Sequence, residues 1–134
     1  MRFWKELPRG KALPSMAKDI NLKIYMPERC VVDTQIYRVV LPGFDKPLTV
    51  IKDRAPTLLP LNMGIIKVLD ENDNVTDEYF TADGAVDIKD NICTILTEAA
   101  FHQSELSLEK ARELYNEFNN VFYEWLVKYF EEKR

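Results

Sequence analysis

The spacing of the apolar residues changes once along this chain, near Ser107, and that change limits what it can fold into. Before it, the pattern alternates. Ile20, Leu22, Ile24 and Met26 take turns with Asn21, Lys23 and Tyr25 in "INLKIYM", the period-two signature of a strand with one buried face. Pro27 ends that segment. "CVVDT", "QIYRVVLP", "LTVIK", "TLLPLN", "GIIKVLD", "EYFTADG", "AVDI" and "NICTILT" follow, each short and rich in β-branched or aromatic residues. Turn residues separate them. In "DENDN" (70–74), Asp and Asn side chains offer local bonds to the backbone; in "DGAV", Gly84 is expected to take the left-handed conformation, which Asp90 and Asn91 also tolerate. Many short strands separated by frequent turns indicate a mostly β domain, a sandwich or flattened barrel.

After Ser107 the steps become three and four residues. Ser107 is placed to cap a helix start, with Glu109 and Glu113 near the positive end of its dipole. Ala111, Leu114, Tyr115, Phe118, Phe122, Trp125 and Tyr129 form one apolar stripe, with Glu109, Glu113, Glu117, Glu124 and Glu131 opposite. Unbroken to Arg134, this C-terminal amphipathic α-helix would be about 40 Å long at ~1.5 Å per residue; Asn119-Asn120 is the place for a bend. Past Val121, Tyr123, Val127 and Phe130 widen the stripe, which calls for neighbours on two sides. The organisation expected is an extended arm over 1–19, a β domain over 20–103 and a helical segment over 104–134.

The inventory of reactive groups argues against chemistry. The one histidine, His102, has no nearby cysteine or Gly-x-Ser-x-Gly serine, so it reads as a surface or helix-entry residue. Four glycines, at 10, 43, 64 and 84, allow no phosphate-cradling loop. Acidic pairs such as Asp77/Glu78 fall where carboxylates are ordinarily solvated. Cys30 and Cys93 sit in apolar settings and are expected to be buried, reduced thiols. A net charge of −4 with scattered Lys and Arg gives no footprint for nucleic acid. No stretch reaches the roughly 20 apolar residues of a membrane span, so the chain is expected to be soluble or peripheral to a membrane through partners. No catalytic residue, metal ligand or cofactor is assigned.

Taken in order, "INLKIYMPERCVVDTQIYRVVLPG", "LTVIKDRAPTLLPLNMGIIKV" and "EYFTADGAVDIKDNICTILTEAA" resemble the epsilon subunit of F-type ATP synthases, whose mitochondrial counterpart is called delta. Met26-Pro27-Glu28, Leu41-Pro42-Gly43, Ala55-Pro56, Asn62-Met63-Gly64, Asp83-Gly84 and Ala99-Ala100 stand where that family's pattern expects them, and the likeness runs from about Ile20 to Asn116. It implies a ten-stranded β-sandwich followed by helix, a non-catalytic rotor subunit at the foot of the central stalk. Its partners would be the gamma subunit and the membrane ring, and through them the alpha/beta head. It would couple the ring's rotation to ATP synthesis, as part of a complex on the cytoplasmic face of a bacterial membrane or the matrix side of the mitochondrial inner membrane.

By position, Phe44, Asp45 and Lys46 match the family's ring-facing loop, and Asp53, Arg54, Ala55 and Pro56 its loop near ring and gamma. Prolines 42, 47, 56 and 60 stiffen these connections. Three departures matter. "DKPLTVIKDRAP" replaces the family's glycine turns and histidine, so Arg54 would suit an acidic neighbour. Leu106-Ser107-Leu108-Glu109-Lys110-Ala111 lacks the Asp and Arg through which some bacterial members bind ATP, so tight ATP binding is not expected, and the short C-terminus argues against inhibition by an extending arm. The tail is aromatic, with Phe122, Trp125, Tyr129 and Phe130 expected to reach a partner, gamma or an accessory subunit. The alternative is a free-standing β-sandwich adaptor or homodimer that uses the Tyr115–Phe130 stripe as its interface.

Overall fold

The structure, a computed structural model, describes Lys18, residues 20–43 and residues 45–133. The arm, Lys18 apart, and the ring contact assigned to Phe44 lie outside the described residues. Ten strands are followed by two helices: β1 (Ile20–Met26), β2 (Arg29–Ile36), β3 (Arg38–Leu41), β4 (Leu48–Val50), β5 (Thr57–Leu61), β6 (Gly64–Leu69), β7 (Val75–Thr81), β8 (Gly84–Lys89), β9 (Ile92–Thr97), β10 (Ala100–His102), α1 (Leu108–Phe118) and α2 (Val121–Glu132).

The strands form two five-stranded sheets. The first has the order β2-β1-β9-β8-β5, with β1 and β9 parallel; the second has the order β10-β7-β6-β3-β4. Alternation decides which face goes inward. Ile20, Leu22 and Ile24 of β1, Val86 and Ile88 of β8, and Cys93 and Ile95 of β9 meet Val39, Val50, Ile66 and Val68 of the second sheet in one buried core. At the β6–β7 hairpin, Asp70 Oδ1 accepts from the amides of Asn72 (2.8 Å) and Asn74 (2.9 Å), and Asp73 takes φ 65°. Arg38 clamps this tip through Asp73 Oδ1 (2.8 Å) and the Asp70 carbonyl (2.9 Å). The β8–β9 turn places Asp90 (φ 54°) and Asn91 (φ 62°) in the left-handed region, the backbone a two-residue hairpin needs.

Gly84 departs from expectation. No described glycine has positive φ; instead, a Cβ on Gly84 would collide with the Leu96 carbonyl oxygen of the adjacent strand. Close backbone approach, not turn geometry, requires the glycine there. Cys30 departs too. It lies on edge strand β2 and is exposed, whereas Cys93 is buried, which pushes its thiol pKa up to about 12 with a smaller effect from Asp87.

The helical segment is two helices, not one. Ser107 Oγ accepts from the Lys110 amide (3.2 Å) and starts α1 as expected. Asn119, at φ 50°, ends it in the left-handed conformation, and Asn120 Oδ1 accepts from the Tyr123 amide (3.0 Å) to start α2. The chain therefore reverses within two residues, and Arg112 of α1 meets Glu131 of α2 at 3.2 Å. The hairpin covers the outer face of the second sheet. Phe80 on β7, whose neighbour Tyr79 faces the sandwich core, packs outward against Trp125, Tyr129 and Phe130, with ring centroids 6.1, 5.1 and 5.5 Å away.

Candidate interaction surfaces

Two stiffened loops, one open sheet face and the helical hairpin are the features that a partner would meet. The first loop, Pro42–Pro47, joins β3 to β4. Asn62 holds it: its amide donates to the Pro42 carbonyl (3.2 Å) and its Nδ2 to the Gly43 carbonyl (3.2 Å). Gly64 lies so close that a Cβ there would sit 2.8 Å from Pro42 Cβ. This packing leaves Asp45 and Lys46 exposed on a fixed base.

The second loop, 51–56, carries the chain from the edge of the second sheet to the edge of the first. Asp53 is left-handed (φ 62°); its amide donates to Asn91 Oδ1 at 2.6 Å, and Asn91 Nδ2 lies 3.4 Å from Asp53 Oδ1. The Asn91 carbonyl in turn accepts from the Asn21 amide (2.9 Å), and Thr57 Oγ1 donates to the Ala55 carbonyl (2.8 Å). Asp53, Ala55 and Pro56 are exposed, and Arg54 is partly exposed. Leu41 pairs with Leu48 and Val39 with Val50, so the two loops leave opposite ends of β4. A partner seated on one end of the sandwich reaches one loop. Only a partner lying along the β4–β5 side reaches both.

The outer face of the first sheet has no covering element among the described residues. The register aligns Tyr25, Leu96, Ala85 and Pro60 in one row and Lys23, Thr94, Asp87 and Leu58 in another. Leu58 is 78% exposed and Leu96 52% exposed. Beside that row, Tyr25, Met26, Pro27 and Leu96 line an open cleft of about 260 Å³ with Asp83 and Glu98 on its rim. The signal for this face was present as apolar doublets: Leu58-Leu59 and Ile95-Leu96 put one member inward and therefore the other outward.

The aromatic tail is largely accounted for within the chain. Phe122 is 3% exposed and stacks near Phe101, so its assignment as a partner contact is corrected. Trp125, Tyr129 and Phe130 keep some exposure, yet their rings gather around Phe80. Strands β7 and β10 supplied the second neighbour that the wide stripe called for. The stripe is thus largely covered by the chain's own strands; what remains open is the hairpin tip, Phe118 (54% exposed) and Val121 (68% exposed).

The titratable groups form structural pairs. His102 Nδ1 accepts from the Ser104 amide (3.1 Å), leaving Nε2–H to donate to Asp77 Oδ1 (2.7 Å), while the His102 amide donates to Glu105 Oε1 (2.8 Å). These bonds tie β10 to β7 and to the 3-10 turn at Gln103–Glu105. The Asn74 amide foremost, aided by that of Asn72, holds the Asp70 carboxyl below the usual carboxylate range. Burial, with a lesser effect from Asp77, raises the Tyr79 hydroxyl. No group of three or more His, Cys, Asp or Glu suited to a metal occurs among the described residues. No helix among them is long and apolar enough to cross a membrane.

A sandwich with one outer face carrying its own helices and an uncovered apolar row on the other, beside loops fixed from below, has the build of a docking module. Comparison with known proteins says which kind. Residues 19–103 match the family model for the ATP synthase delta/epsilon chain, β-sandwich domain. The ATP synthase epsilon chain of Sinorhizobium medicae is 34% identical over 91 residues, 68% of this chain and 67% of that one. That of Gluconacetobacter diazotrophicus is 32% identical over 93 residues, 69% of this chain and 65% of the relative. The chain thus spans about two thirds of the length of these bacterial relatives. Among solved structures it is similar to a chain of the Euglena gracilis mitochondrial ATP synthase OSCP/F1/c-ring (TM-score 0.61, 19% identity, 76% of this chain and 64% of that one). It is also similar to a chain of the Tetrahymena thermophila mitochondrial ATP synthase central stalk and c-ring (TM-score 0.58, 16% identity, 86% and 96%). At these identities the structural likeness is one of fold. The chain belongs to the ATP synthase delta/epsilon family.

Proposed function

We propose that this chain is a central-stalk subunit of an F-type ATP synthase that holds the membrane ring to the gamma subunit, so that rotation of one turns the other. The observation that carries the reading is the uncovered outer face of the first sheet. One row of apolar side chains, Tyr25, Leu96, Ala85 and Pro60, with Leu58 exposed beside it, on a sandwich whose other side carries its own helices favours burial against a second protein. In this reading gamma covers that face, Asp45 and Lys46 meet the polar loops of the ring, and Asp53–Pro56 lie where gamma and ring approach each other. Anchoring of the loops by Asn62 and Asn91 supports a torque-bearing role, because a contact that transmits rotation must not yield before its partner moves. The subunit would be peripheral to the membrane, attached through the ring. Recovery of gamma, alpha, beta and ring subunits with the tagged full chain after mild-detergent purification is the expected result. Recovery of the chain alone, or only as a self-dimer, would overturn the reading.

A further inference from the structure

We propose that Arg54 selects the partner at the Asn91 end of the sandwich by receiving a carboxylate from the chain that covers the outer face of the first sheet, an inference that rests on the stalk reading above. Other described arginines already have acceptors. Arg29 lies 3.7 Å from Glu105, Arg38 bonds Asp73 at 2.8 Å and the Asp70 carbonyl at 2.9 Å, and Arg112 lies 3.2 Å from Glu131. Arg54 is different. Its Nε is shut away from solvent with no hydrogen-bond partner, and no ion pair reaches it from the described residues. A guanidinium held with a donor unfilled loses hydration without gaining a bond; Arg54 is partly exposed, and a turn of its side chain toward a docked planar carboxylate would relieve that state.

The surroundings favour a protein carboxylate over a free anion. Exposed Asp53 precedes Arg54 in the chain and is bonded to Asn91, the neighbour of exposed Asp90; acidic groups this near disfavour a multiply charged ion such as inorganic phosphate more than a single carboxylate. Exposed Ile51, Ala55, Pro56 and Leu58 lie within four residues of Arg54 along the chain and give the loop apolar surface of the kind that keeps water from an arginine anchor in a tight interface. Leu58 also belongs to the open face of the first sheet, which makes the two surfaces continuous. The backbone is set in advance. Left-handed Asp53 and its bonds to Asn91 hold the residue before Arg54, so little ordering is left for the moment of docking. A lysine would keep the charge but lose the fork.

The test uses the full tagged chain carrying Arg54→Lys or Arg54→Glu, purified in mild detergent across a salt series with the retained gamma and ring subunits quantified. Free chains are melted in parallel. The expected result is at least a tenfold loss of retained partners for R54E, a smaller loss for R54K, and melting temperatures equal to that of the unaltered chain. Equal retention by all three would overturn the proposal while leaving the stalk reading intact. A loss that only parallels a lower melting temperature would overturn it too, by making Arg54 a folding residue. If the unaltered chain retained no partner, the stalk reading would fail, and with it the carboxylate donor.

Discussion

Replacing Phe80 with alanine should separate the helical hairpin from the sandwich without opening the sandwich itself. The ring is 2% exposed and meets Trp125, Tyr129 and Phe130 at 5.1–6.1 Å, so its removal deletes the centre of the aromatic cluster. Truncating a buried Phe costs about 3–5 kcal/mol when the cavity collapses only partly. Against a domain stability of roughly 5–15 kcal/mol, that is a large share. The neighbouring Tyr79 points into the other core and keeps its contacts, so the loss should fall on one interface. With Trp4 changed to Phe, Trp125 is the single reporter. Its emission should shift toward that of solvated indole, and amide protons of α2 should lose their protection from exchange, while those of β1, β8 and β9 keep theirs. A destabilisation below about 1 kcal/mol, well under the range for a core Phe, would refute the reasoning. So would Trp125 emission unchanged from that of the parent.

Gly84→Ala should destabilise the chain by about 1–3 kcal/mol through overpacking, because the new Cβ meets the Leu96 carbonyl; an unchanged urea midpoint would argue against that contact. Asp70 has a folded-state pKa lowered below its unfolded value of 3.8, so its contribution to stability is present above that value and is lost as pH falls through the lower folded value. Asp70→Asn should therefore flatten the acid limb of the urea midpoint below pH 4, and an identical acid limb in both proteins would count against the charge. In native protein at pH 8, a thiol reagent should modify Cys30 and spare Cys93, whose thiol is buried with its pKa near 12; labelling of both at equal rates, read by mass spectrometry, would contradict the burial.

Alternation made the strands and most of the core legible in advance, because a period of two states which residues share a face wherever that face is buried. Ile20, Leu22 and Ile24 are the clear case. What was not legible depends on relations between distant segments. Cys30 sits among apolar neighbours, but whether a strand lies at an edge is decided by the sheet order, and β2 lies at the edge. Gly84 serves two purposes equally well in one dimension; only the nearness of Leu96 distinguishes them. The Asn119-Asn120 pair marked the place for a break in the helix, but the tertiary demand to fold back onto Phe80 decided that it does break. The aromatic stripe advertised a large apolar surface without naming what covers it. The two loops were found by position in a resemblance, whereas their anchors, Asn62 and Asn91, are residues of ordinary turn composition whose importance appears only across the fold.

Strand β9 sits in the middle of its sheet, between β1 and β8, and it is the last of that sheet's strands along the chain. Ile24 must wait for Ile95. During synthesis β1 and β2 emerge as a hairpin whose β1 edge stays unpaired until nearly all of the domain has been made, and a parallel pairing over such a separation is slow to close. A chain halted before β9 would expose two unpaired backbone edges at once, that of β1 and that of β8, each a template for pairing with another chain. The same strand that ties the finished sheet together thus sets a long interval in which the unfinished one needs protection, and defects in its delivery should show first as aggregation rather than as loss of a stalk contact.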